Sequence, residues 1–297
     1  MNVTMRKAKI RSGRLARKLA GAMGLSVLSA VAFSADDEGR APVTGEASVS
    51  FETKALTYGL PDADDPIIAP RGALTFFGHL TVGTVFYFDV TDFGEKAGRG
   101  DRSWDFWEID APADLRHVFT PEEFAALPTS VELGVGYRYE YHPPRTHTRD
   151  TQFWLADVSL PDLWLVPCLS YERDAIRDDG TYLNLSVSRT CSLLDNLSLT
   201  LTLGQGWGDR KRVRGYLPSP DLEGRLNRAG LMDTQLRIAL EWEIAENLVL
   251  SGYVAYSDFL FDRHVRDASR DYIRQSDGQT RHSSWNFPAG IALAYRF

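Results

Sequence analysis

Beyond its first 35 residues, this 297-residue chain has no apolar run long enough to cross a bilayer as a helix. Such a crossing takes about 20 residues, so a membrane passage would have to be made by strands. Cysteine is scarce, with only Cys168 and Cys191. A disulfide framework is therefore excluded. Strand parity puts Cys168 on an inner face and Cys191 on an outer one, so the pair is expected to stay free. Histidine is also sparse: His79, His117, His142, His147, His264 and His282 fall outside strand centres, and no two sit at metal-ligand spacing. Asp62, Asp64 and Asp65 form an acidic loop that reads as solvated rather than as a calcium site. No metal and no cofactor are expected. Positive charge is short as well. Seven of the 33 basic residues lie before position 19, leaving 26 against 40 acidic ones. A mature chain near −14 argues against a nucleic-acid partner.

The first 35 residues hold those seven basic residues and no acid, then an apolar run from Leu19 to Phe33 ending among small residues. A basic start, a short apolar stretch and a small-residue cleavage zone make a secretory signal, residues 1–34. A short polar segment, 35–46, follows, and 47–297 are expected to form one domain.

What that domain has in abundance is alternation. In the last thirteen residues, Phe287, Ala289, Ile291, Leu293, Tyr295 and Phe297 share one face, backed by small or polar residues and Arg296. A terminal Phe on an apolar face suits a strand whose outside meets lipid and whose end aromatics sit at the interface. Val131, Leu133, Val135, Tyr137, Tyr139 and Tyr141 alternate with Glu132, Gly134, Gly136, Arg138 and Glu140. Leu197, Leu199, Leu201 and Leu203 alternate with Ser198, Thr200, Thr202 and Gly204.

Twelve such segments are expected: 47–58, 71–77, 80–91, 104–115, 131–141, 152–160, 163–174, 181–192, 197–208, 233–244, 248–259 and 285–297. Their lengths of about ten residues match the 9–11 needed to cross a bilayer obliquely. The connections after the second, sixth, eighth and tenth strands are short, that after the fourth being the exception, and those after the odd strands are long. Short periplasmic turns and long extracellular loops belong to a transmembrane barrel. The fold expected is therefore all-β, a single 12-stranded antiparallel barrel in the outer membrane. Phe86, Phe88, Tyr139, Tyr141 and Tyr256 would form the outer aromatic girdle, and Trp242, Tyr295 and Phe297 the inner one. A periplasmic β-sandwich explains the alternation but not the loop parity or the final Phe. Thr120-Pro121-Glu122-Glu123 is the one helical signal, an N-cap, a Pro at the first helical position and a capping-box Glu. It reads as a short turn in a connection.

Several pieces of the chain resemble TorF-type porins: ASVSFETKALTYGLPDADDP near the start, WEID at Trp107–Asp110 and GYRYEYHP at Gly136–Pro143. The resemblance implies a porin-like barrel and carries no substrate with it. The family's usual Tyr-x-Phe-Arg-Gly stretch is here Leu56-Thr57-Tyr58-Gly59, without the Arg.

By parity Glu52, Lys54, Arg71, Glu108, Asp110, Glu132, Arg138, Glu140, Asp157, Glu172, Arg237, Glu241, Glu243 and Arg296 project inward. Charges on a lumen cost little if hydrated or paired, whereas on the lipid face they cost roughly 2–4 kcal/mol at midplane. Two lumens fit: a narrow pore whose charges bias ion passage, or one sealed by pairing across the bore. The expected function is passive passage of small solutes, with no catalytic residue. The alternative is a closed barrel whose basic loops engage a surface partner. These loops hold Arg210, Lys211, Arg212, Arg214, Arg225 and Arg228, then Arg263, Arg266, Arg270, Arg274 and Arg281. A weak third reading is a barrel hydrolase using Ser283 or Ser284 beside His282, which are adjacent in sequence but do not thereby form a dyad. Expected partners are outer-membrane lipid with lipopolysaccharide, small solutes, and the barrel-assembly machinery. That machinery would recognise the insertion signal carried by Phe287, Ile291, Leu293, Tyr295 and Phe297.

Overall fold

The computed structural model describes residues 43–58, 60–63, 66–90, 105–143, 149–217, 228–269 and 284–297. Residues 1–34, expected from the sequence to be a signal, lie outside them. Twelve antiparallel strands close into a barrel: β1 (Val43–Glu52), β4 (Ile67–Phe76), β5 (Leu80–Asp89), β6 (Asp105–Phe119), β7 (Val131–Tyr141), β8 (Thr151–Ser159), β9 (Val166–Asp174), β10 (Thr181–Leu194), β11 (Leu197–Gly208), β12 (Gly230–Ala245), β13 (Leu248–Asp258) and β14 (Ala289–Arg296). Each pairs with its neighbours in sequence, and β1 closes the ring by pairing with both β4 and β14. The C-terminal residue takes part, since Phe297 and Gly45 exchange two backbone hydrogen bonds of 2.7 and 2.9 Å.

The alternation resolves as a lipid-facing outside. Val49, Phe51, Leu133, Val135, Leu169, Leu185, Leu201, Leu203, Ile238, Leu240, Val254, Ile291 and Leu293 are exposed, with Leu185 at 58 % and Val135 at 55 %. An apolar band of this extent around a closed sheet has no place in water but matches hydrocarbon. A barrel also leaves no sheet edge unpaired in lipid. Phe77, Trp164, Trp242 and Tyr295 are exposed near the short-turn end, and Trp285 and Phe287 near the other. Cys168 and Cys191 are free, on inner and outer faces.

Several boundaries differ from the sequence reading. β1 starts at Val43, inside the segment assigned to a polar leader, and ends at Glu52. Residues 55–63 do not extend it. They fold as a separate hairpin of β2 (Ala55–Thr57) and β3 (Leu60–Ala63), turned at Tyr58, whose φ is +52°. β4 runs back to Ile67, through Pro70. A proline removes one ladder donor, and the β4–β5 pairing is interrupted there, between Ile68 and Arg71. β6 runs on to Phe119, beyond Leu115. β14 begins at Ala289 rather than at 285, although Asn286 still bridges Ser257. The β4–β5 turn centres on Phe77 and Gly78, both at positive φ, one residue before the expected Gly78-His79. Two successive positive φ values suit the twist of a tight hairpin. At 120–127 the capping box forms, with Thr120 N donating to Glu123 Oε2 at 3.1 Å and Glu123 N to Thr120 Oγ1 at 3.4 Å. Only turns follow, because Pro128 ends the segment.

The apolar core lies at the long-loop end. Tyr58, Leu60, Val213, Leu217, Met232, Phe259, Val265 and Ala268 bury one another there. They come from the β2–β3 hairpin, from the short helix α1 (Arg210–Tyr216), from a helical segment over 263–269, and from the neighbouring ends of the barrel strands. Three long loops thus pack together over part of the mouth.

Candidate functional site: a two-sided lumen

Inward-facing charges divide the lumen into two sides. On the side of β6 to β9, toward the long loops, they pair. Arg138 Nη2 lies 3.0 Å from Glu140 and 3.2 Å from Glu172. Its guanidinium covers the Phe153 ring at 4.5 Å. Arg177, from the β9–β10 loop, lies 3.5 Å from Glu140 and places Nη2 2.6 Å from His142 Nε2. Asp174 accepts from Thr151 Oγ1 at 2.6 Å and from two backbone amides of its own loop.

Arg212 comes down from α1 and is fully buried. It donates to Tyr58 Oη at 2.9 Å and to Gly180 O at 3.1 Å, and lies 3.6 Å from Glu172 and 3.5 Å from Asp178. The rings of Tyr58 and Tyr216 flank its guanidinium at 4.7 and 5.1 Å. A buried cation is tolerable when carboxylates, hydrogen bonds and ring faces all meet it. Asp209 caps the helix by accepting from Arg212 N at 2.8 Å. Desolvation holds the Asp178 carboxyl above its usual range, against the pull of Arg212. Hydrogen bonds from Lys211 and Arg173 hold the exposed Asp179 below it.

Glu108, Glu140 and His142 bring three possible metal-ligand atoms within 4.8 Å of one another. A guanidinium cannot accept, so His142 Nε2 accepts from Arg177, while its Nδ1 lies 3.5 Å from Glu108. Arg138 and Arg177 already supply positive charge to Glu140. The trio therefore reads as part of the ion network rather than as a metal centre.

The other side, along β1, β4, β5 and β12 to β14, holds two cavities. A cavity of about 370 Å³ is lined by Glu46, Ser48, Ser50, Glu52, Arg71, Tyr87, Arg237, Glu241, Ser251, Tyr253 and Arg296, among others. A second, of about 240 Å³, lies next to it, lined by Glu52, Lys54, Leu56, Gln235, Arg237, Tyr253 and Ser257. Glu52, Arg237 and Tyr253 belong to both. Tyr253 donates to Glu52 Oε2 at 2.8 Å, and the Arg237 guanidinium stacks 4.2 Å from the centroid of the Tyr253 ring. Toward the short turns, Arg296 bridges Glu46 at 3.4 Å and Glu241 at 3.2 Å. Across the lumen, Arg116 gathers Asp114, Glu132 at 3.4 Å and Asp157 at 2.9 Å.

The sequence-derived residues therefore divide. Glu108, Arg138 and Glu140 belong to the paired side, and Asp110 lies there too, its buried Oδ1 without a hydrogen-bond partner among the described residues. Glu132 and Asp157 belong to the Arg116 cluster. Glu52, Lys54, Arg71, Arg237 and Glu241 line the cavities. Glu243 sits at the exposed short-turn rim, outside both cavities, where β12 is irregular before its turn. Arg212, expected among solvated loop residues, is buried instead. Glu46 and Arg116 lie one residue beyond the expected strand ends, and extending the parity of Glu52 and Asp110 would have reached both. His142, Arg177, Asp178 and Arg212 carry no such signal, because loop packing alone brings them inward. Asp64, Asp65, His147, Arg225, Arg270, Arg274, Arg281, His282 and Ser283 lie outside the described residues. Ser284 is buried and donates to Asp258 at 2.5 Å.

Fold and lumen together define a membrane-spanning antiparallel barrel with a charged, partly filled bore. Among solved structures, the chain is similar to the COG4313 outer membrane channel from Pseudomonas putida F1, at 12% identity over 89% of this chain and 99% of that one, TM-score 0.46. It is also similar to the NanC porin, at 6% identity over 84% and 98%, TM-score 0.48. A third is the KdgM porin in complex with disordered oligogalacturonate, at 9% identity over 86% and 99%, TM-score 0.46. No protein-family model matches the chain, and no curated protein matches it. The TorF resemblance rests on its short motifs alone.

Proposed function

We propose that this chain is a passive outer-membrane channel for small solutes, its short turns periplasmic and its long loops extracellular. The observation that carries the reading is the unequal treatment of two inward arginines. Arg138 is locked between Glu140 and Glu172, whereas Arg237 faces a cavity. Solutes would thus pass off-axis, beside β1 and β12 to β14, selected by size and by lumen charge as in other charged pores. No covalent step is involved. Lipid and lipopolysaccharide would surround the apolar band, and the exposed Ile291, Leu293 and Tyr295 would present the insertion signal to the assembly machinery. Purified protein in planar bilayers should give stepwise conductance; a tight seal from heat-modifiable, folded barrel would overturn the reading.

The apolar core over the mouth favours a second reading, a closed barrel whose loops engage a surface partner. Trimming residues 210–217 and 263–269 would then abolish partner binding without creating any conductance.

A further inference from the structure

Arg116, Arg138 and Arg296, on the lumen wall, are each held by two or more carboxylates. Arg71 and Arg237 differ. Both line the 370 Å³ cavity, from β4 and β12, and among the described residues neither makes an ion pair. The six charges around that cavity balance, with Glu46, Glu52 and Glu241 against the three arginines, but they are unevenly spread. Two of the carboxylates attend Arg296 at the short-turn end. The third, Glu52, accepts from Tyr253 Oη at 2.8 Å and from Ser50 Oγ at 3.3 Å. Arg237 lies over the Tyr253 ring at 4.2 Å, a stacking that favours one orientation of its guanidinium.

A guanidinium without a counter-charge is costly in a dry site and cheap in a wet one. Kept hydrated and oriented, it offers a fork of donors that fits carboxylate or phosphate oxygens. The hydroxyls of Ser48 and Ser251 line the same cavity. Its volume is at the small end of the ~300–1,000 Å³ usual for ligand pockets.

Resting on the channel reading, we infer that this cavity is a binding station for a small organic anion, held by its carboxylate or phosphate group between Arg71 and Arg237. Because both cavities share Glu52, Arg237 and Tyr253, an anion crossing from one to the other passes the station. It is a site of retention on the way through, and the Arg296 cluster lies between it and the periplasm.

The test is current block in planar bilayers, using wild-type protein, R71Q/R237Q and the charge-conserving R71K/R237K, all confirmed as folded by heat-modifiable mobility. Inorganic phosphate and succinate are titrated separately into potassium chloride. Saturable block by either probe is expected in the wild type, and the effective probe identifies the preferred headgroup. In R71Q/R237Q the half-blocking concentration should rise about tenfold or more, the scale of one lost charge-assisted hydrogen bond. R71K/R237K should fall between the two, since lysine keeps the charge but not the fork. Open channels that neither probe blocks, or equal block in R71Q/R237Q, would overturn the inference while leaving the channel standing. Folded barrel that never conducts would sink the channel reading and this inference with it.

Discussion

Arg212 and Tyr58, 154 residues apart, meet over the barrel mouth, where Arg212 Nη1 donates to the Tyr58 hydroxyl at 2.9 Å. The contact ties the first long loop to the fifth. It also lowers a cation onto Glu172, a carboxylate of the barrel wall. Loop packing and lumen charge are therefore one structure, and each can be probed through the other.

Arg212→Ala should loosen the mouth. It strips Glu172 and Asp178 of their common cation, and removing one partner of a buried ion pair costs roughly 3–5 kcal/mol. That loss exceeds what a seven-residue helix can hold by itself, so α1 should detach while the barrel persists. The expected outcome is faster proteolytic nicking within 210–217 and a larger single-channel conductance, with unchanged heat-modifiable mobility. Unchanged nicking would show that α1 is held by other contacts.

Gly180→Ala tests the same seat without touching charge. A Cβ at residue 180 would run into the backbone nitrogen of Arg212, which cannot give way as a flexible side chain would. Overpacking of this kind costs typically 1–3 kcal/mol. Loop nicking and conductance should shift in the same direction as for Arg212→Ala, and by less.

The pH dependence of the mouth follows from Asp178. Its carboxyl is raised above the usual range, first by desolvation, with Asp174 and Asp209 adding and Arg212 and the Gly180 amide opposing. Glu172 faces the same guanidinium. A raised carboxyl binds more protons in the packed mouth than in the loosened one. Its contribution is thus complete below the ordinary carboxylate value of ~4 and is lost as pH rises through the raised value. Protection of residues 210–217 from protease should improve on acidification from neutral pH, and Asp178→Asn should flatten that part of the profile. Exposed Asp179, whose carboxyl is lowered, works in the opposite sense and only at more acidic pH.

The outward band can be tested at Leu201, half-exposed on the middle of β11. Leu201→Arg should destabilise the membrane-inserted barrel by roughly 2–4 kcal/mol, the cost of a charge at the bilayer midplane. Ser186→Lys, on the inner wall of neighbouring β10, should cost far less. Urea unfolding of the two variants in lipid vesicles makes the comparison; equal losses would count against the inside–outside assignment.

Alternation was legible because strand side chains repeat every two residues, whatever the partner strand. Leu197 to Leu203 against Ser198 to Gly204 declares two faces by itself, and the loop lengths suggest which one meets lipid. Strand ends were less legible. Pro70 stopped the reading of β4 at Arg71, yet the strand runs through it, because the remaining pairs with β1 hold it in line.

The amino-acid order alone thus determined the barrel and the number of its strands, since period and length are local properties of the chain. Only the tertiary structure decided which charges are spent. Arg138 finds Glu172 from two strands away, Arg212 arrives from a loop, and Arg71 and Arg237 are left facing water. Those outcomes depend on distances between segments far apart in sequence, which no local pattern encodes.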